Sequence, residues 1–284
     1  MFLLLFEGLM LLCAGLCLRD ALRGGPHKVA LLAAGIGFGL LLEWATLQQL
    51  DAYTYGDFSL MIAQQVPLSV GVGWGVILYS SMKTTDAMGL PTYMRPAFDA
   101  LLALNIDVAM DAIAIRLGMW DWAIDLQADW FGVPWENYWA WFWVVFFFSS
   151  GARLTRRIPG WVGRWLAPIG ALALGLVGVV GTNHLITQWV PGAIVPAVSM
   201  LPIALALSAA IWLRPRLQYE PGIAAVSVPL VFHAYFLVSG LVTGILLDLP
   251  VLLVSTALML AIALWIQRRP DAKDAPSAPP SAPA

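Results

Sequence analysis

The sequence is poor in charge. Asp, Glu, Lys and Arg make up 11% of its 284 residues, against 60% hydrophobic ones, where an average soluble domain carries about 25% charged residues. That balance excludes a water-soluble globular fold and points to an integral membrane protein. Cysteine is nearly absent. Cys13 and Cys17 stand one helical turn apart in the first apolar run, too close on one helix face for a useful disulfide, and read as small buried hydrophobes. There are only three histidines, His27, His184 and His233, and they are scattered. Membrane di-iron hydroxylases and desaturases require many clustered histidines, so that class is excluded. His233, in the middle of an apolar run, reads as a hydrogen-bonded packing residue. No basic patch lies away from the membrane margins, which leaves nucleic acid without a footprint, and no internal repeat points to the two-fold architecture of many transporters.

What is present is a series of long apolar runs. A helix rising about 1.5 Å per residue needs about 20 apolar residues to cross roughly 30 Å of hydrocarbon, and helices must do the crossing because backbone groups in lipid have no water to bond. The runs predict an all-α polytopic bundle of about nine transmembrane helices, at residues 1 to 18, 29 to 48, 59 to 81, 96 to 117, 135 to 152, 164 to 183, 194 to 213, 222 to 246 and 250 to 267. Basic residues near membrane segments are retained on the cytoplasmic side. Arg19, Arg23, Lys28, Lys83, Arg95, Arg153, Arg156, Arg157, Arg164, Arg214, Arg216, Arg268, Arg269 and Lys273 fall in alternate loops or the tail, and only Arg116 falls on the other side. A multi-pass protein of the cell membrane is therefore expected, with its N-terminus outside and its C-terminus in the cytoplasm.

The first run lacks a preceding basic region and a clear small-residue cleavage site, and reads as a retained helix rather than a signal peptide. Residues 1–269 form one transmembrane domain in this reading. Residues 270–284, rich in Ala, Pro, Ser and Asp, read as a disordered cytoplasmic tail that cannot bury enough surface to order itself.

Carboxyl groups at membrane depth are costly and usually functional. Asp107 and Asp111 are spaced i to i+4, which puts both on one face of the fourth helix. Two acids that close in a low dielectric cannot both carry charge cheaply, so one proton is expected to stay with the pair as a general acid. Glu43 in the second helix, Gln64 and Gln65 just inside the third, and Glu136 and Asn137 opening the fifth reach the same outer layer. The inner layer is expected to hold little beyond Asp99. These groups either bond one another to hold the bundle together or form a site. Trp120, Trp122, Trp130, Trp135, Trp139, Trp141 and Trp143 crowd the same layer. They suit a membrane interface or, as a group, a pocket whose ring electrons face a developing cation.

Two blocks of the sequence resemble a known family, the carotenoid biosynthesis membrane proteins that include the bacterioruberin-pathway hydratase and the cyanobacterial γ-carotene hydratase. The first holds Glu43, then Tyr53, Tyr55 and Gly56, then Gln65-Val66-Pro67 and Trp74. The second, DVAMDAIAIRLGMWDWAIDLQADWFGVPWENYWAW, holds Asp107 and Asp111, the Gly118-x-Trp120-x-Trp122 turn, and Phe131, Gly132, Val133, Pro134, Asn137 and Trp141. Ala112, Tyr138 and Ala140 depart from the family pattern, where Pro, Phe and Gly are expected.

The resemblance covers residues 43 to 141 and implies addition of water to the terminal double bond of an acyclic carotenoid, giving a tertiary alcohol. It implies a carotenoid substrate drawn from the bilayer, other pathway membrane enzymes as neighbours, and no cofactor. Asp107 or Asp111 would protonate the alkene, Glu43 or the other Asp would handle the attacking water, and Trp120 and Trp122 would stabilise the cation. Trp141, Asn137, Gln65 and Tyr55 complete the expected substrate-binding set.

Other readings remain at this stage, one of them another acid-initiated change at the same carotenoid end group, such as cyclisation. Intramembrane prenyltransferases carry aspartate motifs that hold Mg²⁺ against a diphosphate. This chain offers Asp107-x-x-x-Asp111 and Asp121-x-x-x-Asp125-x-x-x-Asp129, but the charge pattern puts that loop outside. A proton-coupled transporter would use Asp107 and Asp111 as a relay.

Overall fold

The computed structural model describes residues 1–50 and 53–268. The tail at 270–284, with Lys273, and Arg269 lie outside the described residues. The chain is a helical bundle of α1 (Phe2–Gly24), α2 (Pro26–Leu50), α3 (Leu68–Ala87), α4 (Arg95–Arg116), α5 (Trp135–Thr155), α6 (Gly160–Gln188), α7 (Val195–Leu213), α8 (Ile223–Val242), the short α9 (Ile245–Asp248) and α10 (Pro250–Ile266). Among the described residues, nine of these ten helices have 17 or more residues and lie near the places the apolar runs predict.

Proline starts many of them. Pro96, Pro196 and Pro250 occupy the first turns of α4, α7 and α10, while Pro67, Pro134 and Pro159 hold the extended residue before α3, α5 and α6. A fixed φ and a missing N–H cost nothing there, because the first amides of a helix have no partner within it.

Helices α1, α2, α6 and α8, and the stretch Gly192–Leu213 that includes α7, are each long and apolar enough by themselves to cross a membrane; α10 is apolar but shorter. The other three, α3, α4 and α5, are the most thoroughly buried. Ser, Thr, Gly, Asp and Trp lower their hydropathy, and the surrounding helices shield them. Helices α5 and α6 meet at glycines: a Cβ on Gly151 would fall 2.0 Å from the Gly170 carbonyl oxygen, so only glycine permits this approach.

Several boundaries differ from the expectation; the first helix runs on to Gly24 and the third to Ala87, where the apolar runs predict ends at 18 and 81. The third helix begins at Leu68 rather than 59, because Met61–Ile62 (β2) and Val66–Pro67 (β3) form a small hairpin before it. The eighth ends at Val242, where Gly244 at φ +82° breaks the chain before α9. The sixth is longer, reaching Gln188. A second two-strand ribbon joins distant loops: Thr54–Tyr55 (β1) pairs antiparallel with Trp120–Asp121 (β4).

The ends of α3, α4 and α5 that meet around Asp99 hold far more than that one acid, contrary to expectation. Buried Arg153 donates through Nη1 to Asp86, through Nη2 to Thr85 at 2.9 Å and Asp99 at 3.0 Å, and through Nε to Ser149 at 3.0 Å. Thr85 and Ser149 also donate to Asp99. A positive charge brought under the bundle by α5 is thus matched by two carboxylates from α3 and α4, which is what makes its burial tolerable. Composition counts charges but does not show which are paired.

Candidate active site

Glu43 sits on α2 and is only 7% exposed. Three donors converge on it. Trp74 of α3 reaches Oε1 through its indole N–H at 2.6 Å, and the hydroxyls of Tyr53 and Tyr55 both reach Oε2, Tyr55 at 2.7 Å. The two tyrosines come from the loop after α2. Burial first, then the charge of Glu43, push both hydroxyls well above the ordinary phenol range, so they remain donors.

The second acidic centre lies on α4. Asp107 and Asp111 are 0% and 2% exposed, and one side chain bridges them. The Asn137 amide, in the first turn of α5, donates to Asp111 Oδ2 at 2.8 Å and to Asp107 Oδ2 at 3.2 Å. After α4 the chain turns at Gly118, φ +70°, into β4. There the Trp120 indole N–H donates to Asp111 Oδ1 at 2.6 Å. Both oxygens of Asp111 are therefore engaged, whereas Asp107 has the shared Asn137 donor alone.

A cavity of about 510 Å³ connects the two centres, a size suited to a small-molecule end group. Glu43 and Asp111 both line it; Asp107, one turn along α4 from Asp111, does not. Its walls are aromatic. Trp74 and Trp141 lie with ring centroids 4.3 Å apart, and Trp122 lies 4.7 Å from Tyr53. The rim carries Glu136, Asp129, Asn183 and Thr187, while the inner end is closed by Ile77, Val144 and Phe232. Those three stand nine or ten residues from Leu68, Trp135 and Val242, the ends of α3, α5 and α8 on the rim side, a depth of about 14 Å at 1.5 Å per residue.

Of the residues singled out in the sequence, Glu43, Asp111, Tyr55, Trp120, Trp122, Asn137 and Trp141 meet around this one cavity. Gln64 and Gln65 do not stand in the third helix. They fall in the exposed turn of the β2–β3 hairpin, away from the cavity lining, where Gln65 accepts from the Gln48 amide at 3.0 Å. Trp139 and Trp143 pack between helices instead, Trp139 donating to the Thr182 carbonyl at 3.3 Å. Asp121 and Asp125 close local turns by accepting the backbone N–H groups of Ala123 and Gln127, which explains the regular aspartate spacing without a ligand. His233 bonds Asn105 at 2.9 Å, and both cysteines are buried.

Tyr53 and Trp74 hold Glu43 although the sequence reading gave neither a role. Both lie inside the first family-like block, which was the available signal. Phe232 and the α6 residues Asn183, Ile186 and Thr187 carried none, because a helix face cannot be assigned to a cavity before the bundle is assembled.

The fold and site define a polytopic helical membrane protein whose buried carboxylates face an indole-walled cavity. A family model described as carotenoid biosynthesis protein matches residues 2–211, and the chain belongs to that family. The match spans α1 through most of α7, well beyond the two blocks around the cavity. No curated protein and no solved structure matches the chain.

Proposed function

We propose that the chain is a carotenoid hydratase that adds water across the terminal double bond of an acyclic end group. The supporting observation is that Asp111, backed by Asp107 through Asn137, and Glu43 with its three donors face a single cavity walled by indole rings.

The Asp107–Asp111 pair holds one proton and delivers it from the Asp111 side, the only side that faces the cavity. Transfer to C2 of the terminal alkene leaves a tertiary cation at C1 and adds one negative charge to the pair. Trp120, Trp122, Trp74 and Trp141 present ring faces or edges around that position, and a cation is stabilised by the π-electrons of indole. Water attacks C1 and gives up one proton to Glu43, an acceptor held in place by Tyr53, Tyr55 and Trp74. Return of that proton to Asp111 across the cavity restores the starting state, with H and OH added to the substrate and no electrons exchanged. Carotenoid from the bilayer supplies the end group, and the polar rim at Glu136, Asn183 and Thr187 admits water. The distribution of Lys and Arg puts this rim at the outer face of the cell membrane, with the N-terminus outside and the C-terminus in the cytoplasm.

The test is mass analysis of pigments from cells making an acyclic carotenoid, with and without the chain, grown in H₂¹⁸O. A gain of one labelled water per processed end is expected. A rearranged product of unchanged mass would replace hydration with cyclisation or isomerisation through the same cation, and unaltered pigment would remove the reading.

A further inference from the structure

The end of the bundle opposite the cavity carries more positive charge than it balances. Asp86, near the end of α3, faces Arg153, which Asp99 also meets at 3.0 Å, Arg95 at 3.1 Å and Arg156 at 4.0 Å, while Lys83 is taken by Asp20 at 2.9 Å. Lys28, in the first turn of α2, is half-buried at the same place. Arg156, Lys83 and Arg153 repel it, Asp86 and the more distant Asp20 attract it, and it makes none of the ion pairs found among the described residues. His27 beside it faces Arg164 and Arg156 as well. A partly buried cation among more cations than anions costs stability unless a further anion completes the group.

A separate observation indicates where that anion resides. Trp161, Arg164 and Trp165 are spaced i, i+3 and i+4 on the first turns of α6, so they share one face, and the two indoles are 68% and 46% exposed. Ile158 and Leu154, just before them, are exposed too. Indoles beside arginines at a helix end mark the level of lipid headgroups, and basic pockets between helices at that level take acidic headgroups.

We infer that Lys28, Arg156 and Arg164, flanked by Trp161 and Trp165, form a binding site for the phosphate of an anionic phospholipid. The guanidinium forks of the two arginines match pairs of phosphate oxygens, and Lys28 supplies a point charge behind them. The indoles lie along the glycerol and upper acyl region. This site joins α2, α5 and α6 at the end remote from the cavity and does not depend on the reaction proposed there.

The experiment uses the full chain purified in uncharged detergent. Native mass spectrometry and thermal unfolding are followed with phosphatidylglycerol, phosphatidylcholine or inorganic phosphate. Phosphatidylglycerol is expected to remain bound and raise Tm, and the other two to do neither. Lys28→Gln and Arg164→Gln should each weaken phosphatidylglycerol binding about fivefold. In lipid-free detergent Lys28→Gln should unfold at the same or a higher temperature, because it removes a repelled charge. Undiminished phosphatidylglycerol binding by both variants would overturn the site, as would an equal shift with phosphatidylcholine. A full shift with phosphate alone would overturn the lipid assignment in favour of a free-phosphate site.

Discussion

Tyr55 and Trp120 are paired across the β1–β4 ribbon, with rings 6.4 Å apart, yet each donates its hydrogen bond to a different acid, Tyr55 to Glu43 and Trp120 to Asp111. Two loops more than sixty residues apart in sequence are thus fastened into one unit that sets the donors of both carboxylates.

Gly56 is the tight point of that unit. Its N–H donates to the Met119 carbonyl at 2.9 Å, and a Cβ there would fall 2.1 Å from the Gly118 carbonyl oxygen. Gly56→Ala should part the loops, costing about 1–3 kcal/mol of stability. It should also lower kcat far more than Gly37→Ala, whose Cβ meets nothing within 4 Å. Thermal unfolding and turnover on a carotenoid substrate, measured together, check it. Equal kcat in the two variants would mean that the ribbon does not position the acids.

The two aspartates should separate in their effects. Asp111 lines the cavity and Asp107 does not, so Asp111→Asn should reduce kcat by about 10²–10⁴-fold, the usual worth of a positioned general acid. Asp107→Asn, which leaves the reacting carboxyl and its Trp120 bond in place, should cost less. Single-turnover kinetics in detergent provide the comparison, and a larger loss at Asp107 would reverse the assignment.

Removing one donor from Glu43 should be felt in kcat rather than KM. A hydrogen bond to a charged group contributes about 1.5–3 kcal/mol. Tyr55→Phe, which keeps the ring and its packing, should therefore slow turnover roughly tenfold or more. An unchanged kcat with a raised KM would make Tyr55 a substrate contact only.

Arg153 should prove essential for stability. Arg153→Met leaves Asp99 fully buried without its cation, and breaking a buried pair from one side costs about 3–5 kcal/mol. The double variant Arg153→Met/Asp99→Asn should recover part of the loss. Tm values of the three proteins in the same detergent decide it; no recovery would mean that Asp86, not Asp99, is the partner that matters.

Much of the fold was legible in the sequence because lipid imposes a one-dimensional rule: a crossing helix needs a long apolar run, and each run lies on the chain in plain order. The rule misplaced the start of α3. Residues 59–67 are apolar enough to look like helix, but Pro67 and the positive φ values of Ala63 and Gln64 turn them into a hairpin. The acidic pair on α4 was legible too, since i to i+4 spacing fixes a shared face whatever the surroundings.

The sequence by itself determined that this is a helical membrane protein of the carotenoid biosynthesis type with paired acids at membrane depth, because run length, helical spacing and local motifs are properties of neighbouring residues. Only the tertiary structure decided that Asp111 lines the cavity and Asp107 does not, that Trp74 and two loop tyrosines hold Glu43, that Gln65 lies elsewhere, and that Arg153 is paired at the far end of the bundle. Each of those depends on which faces of separate helices meet, and that is set by packing across distances the chain order does not record.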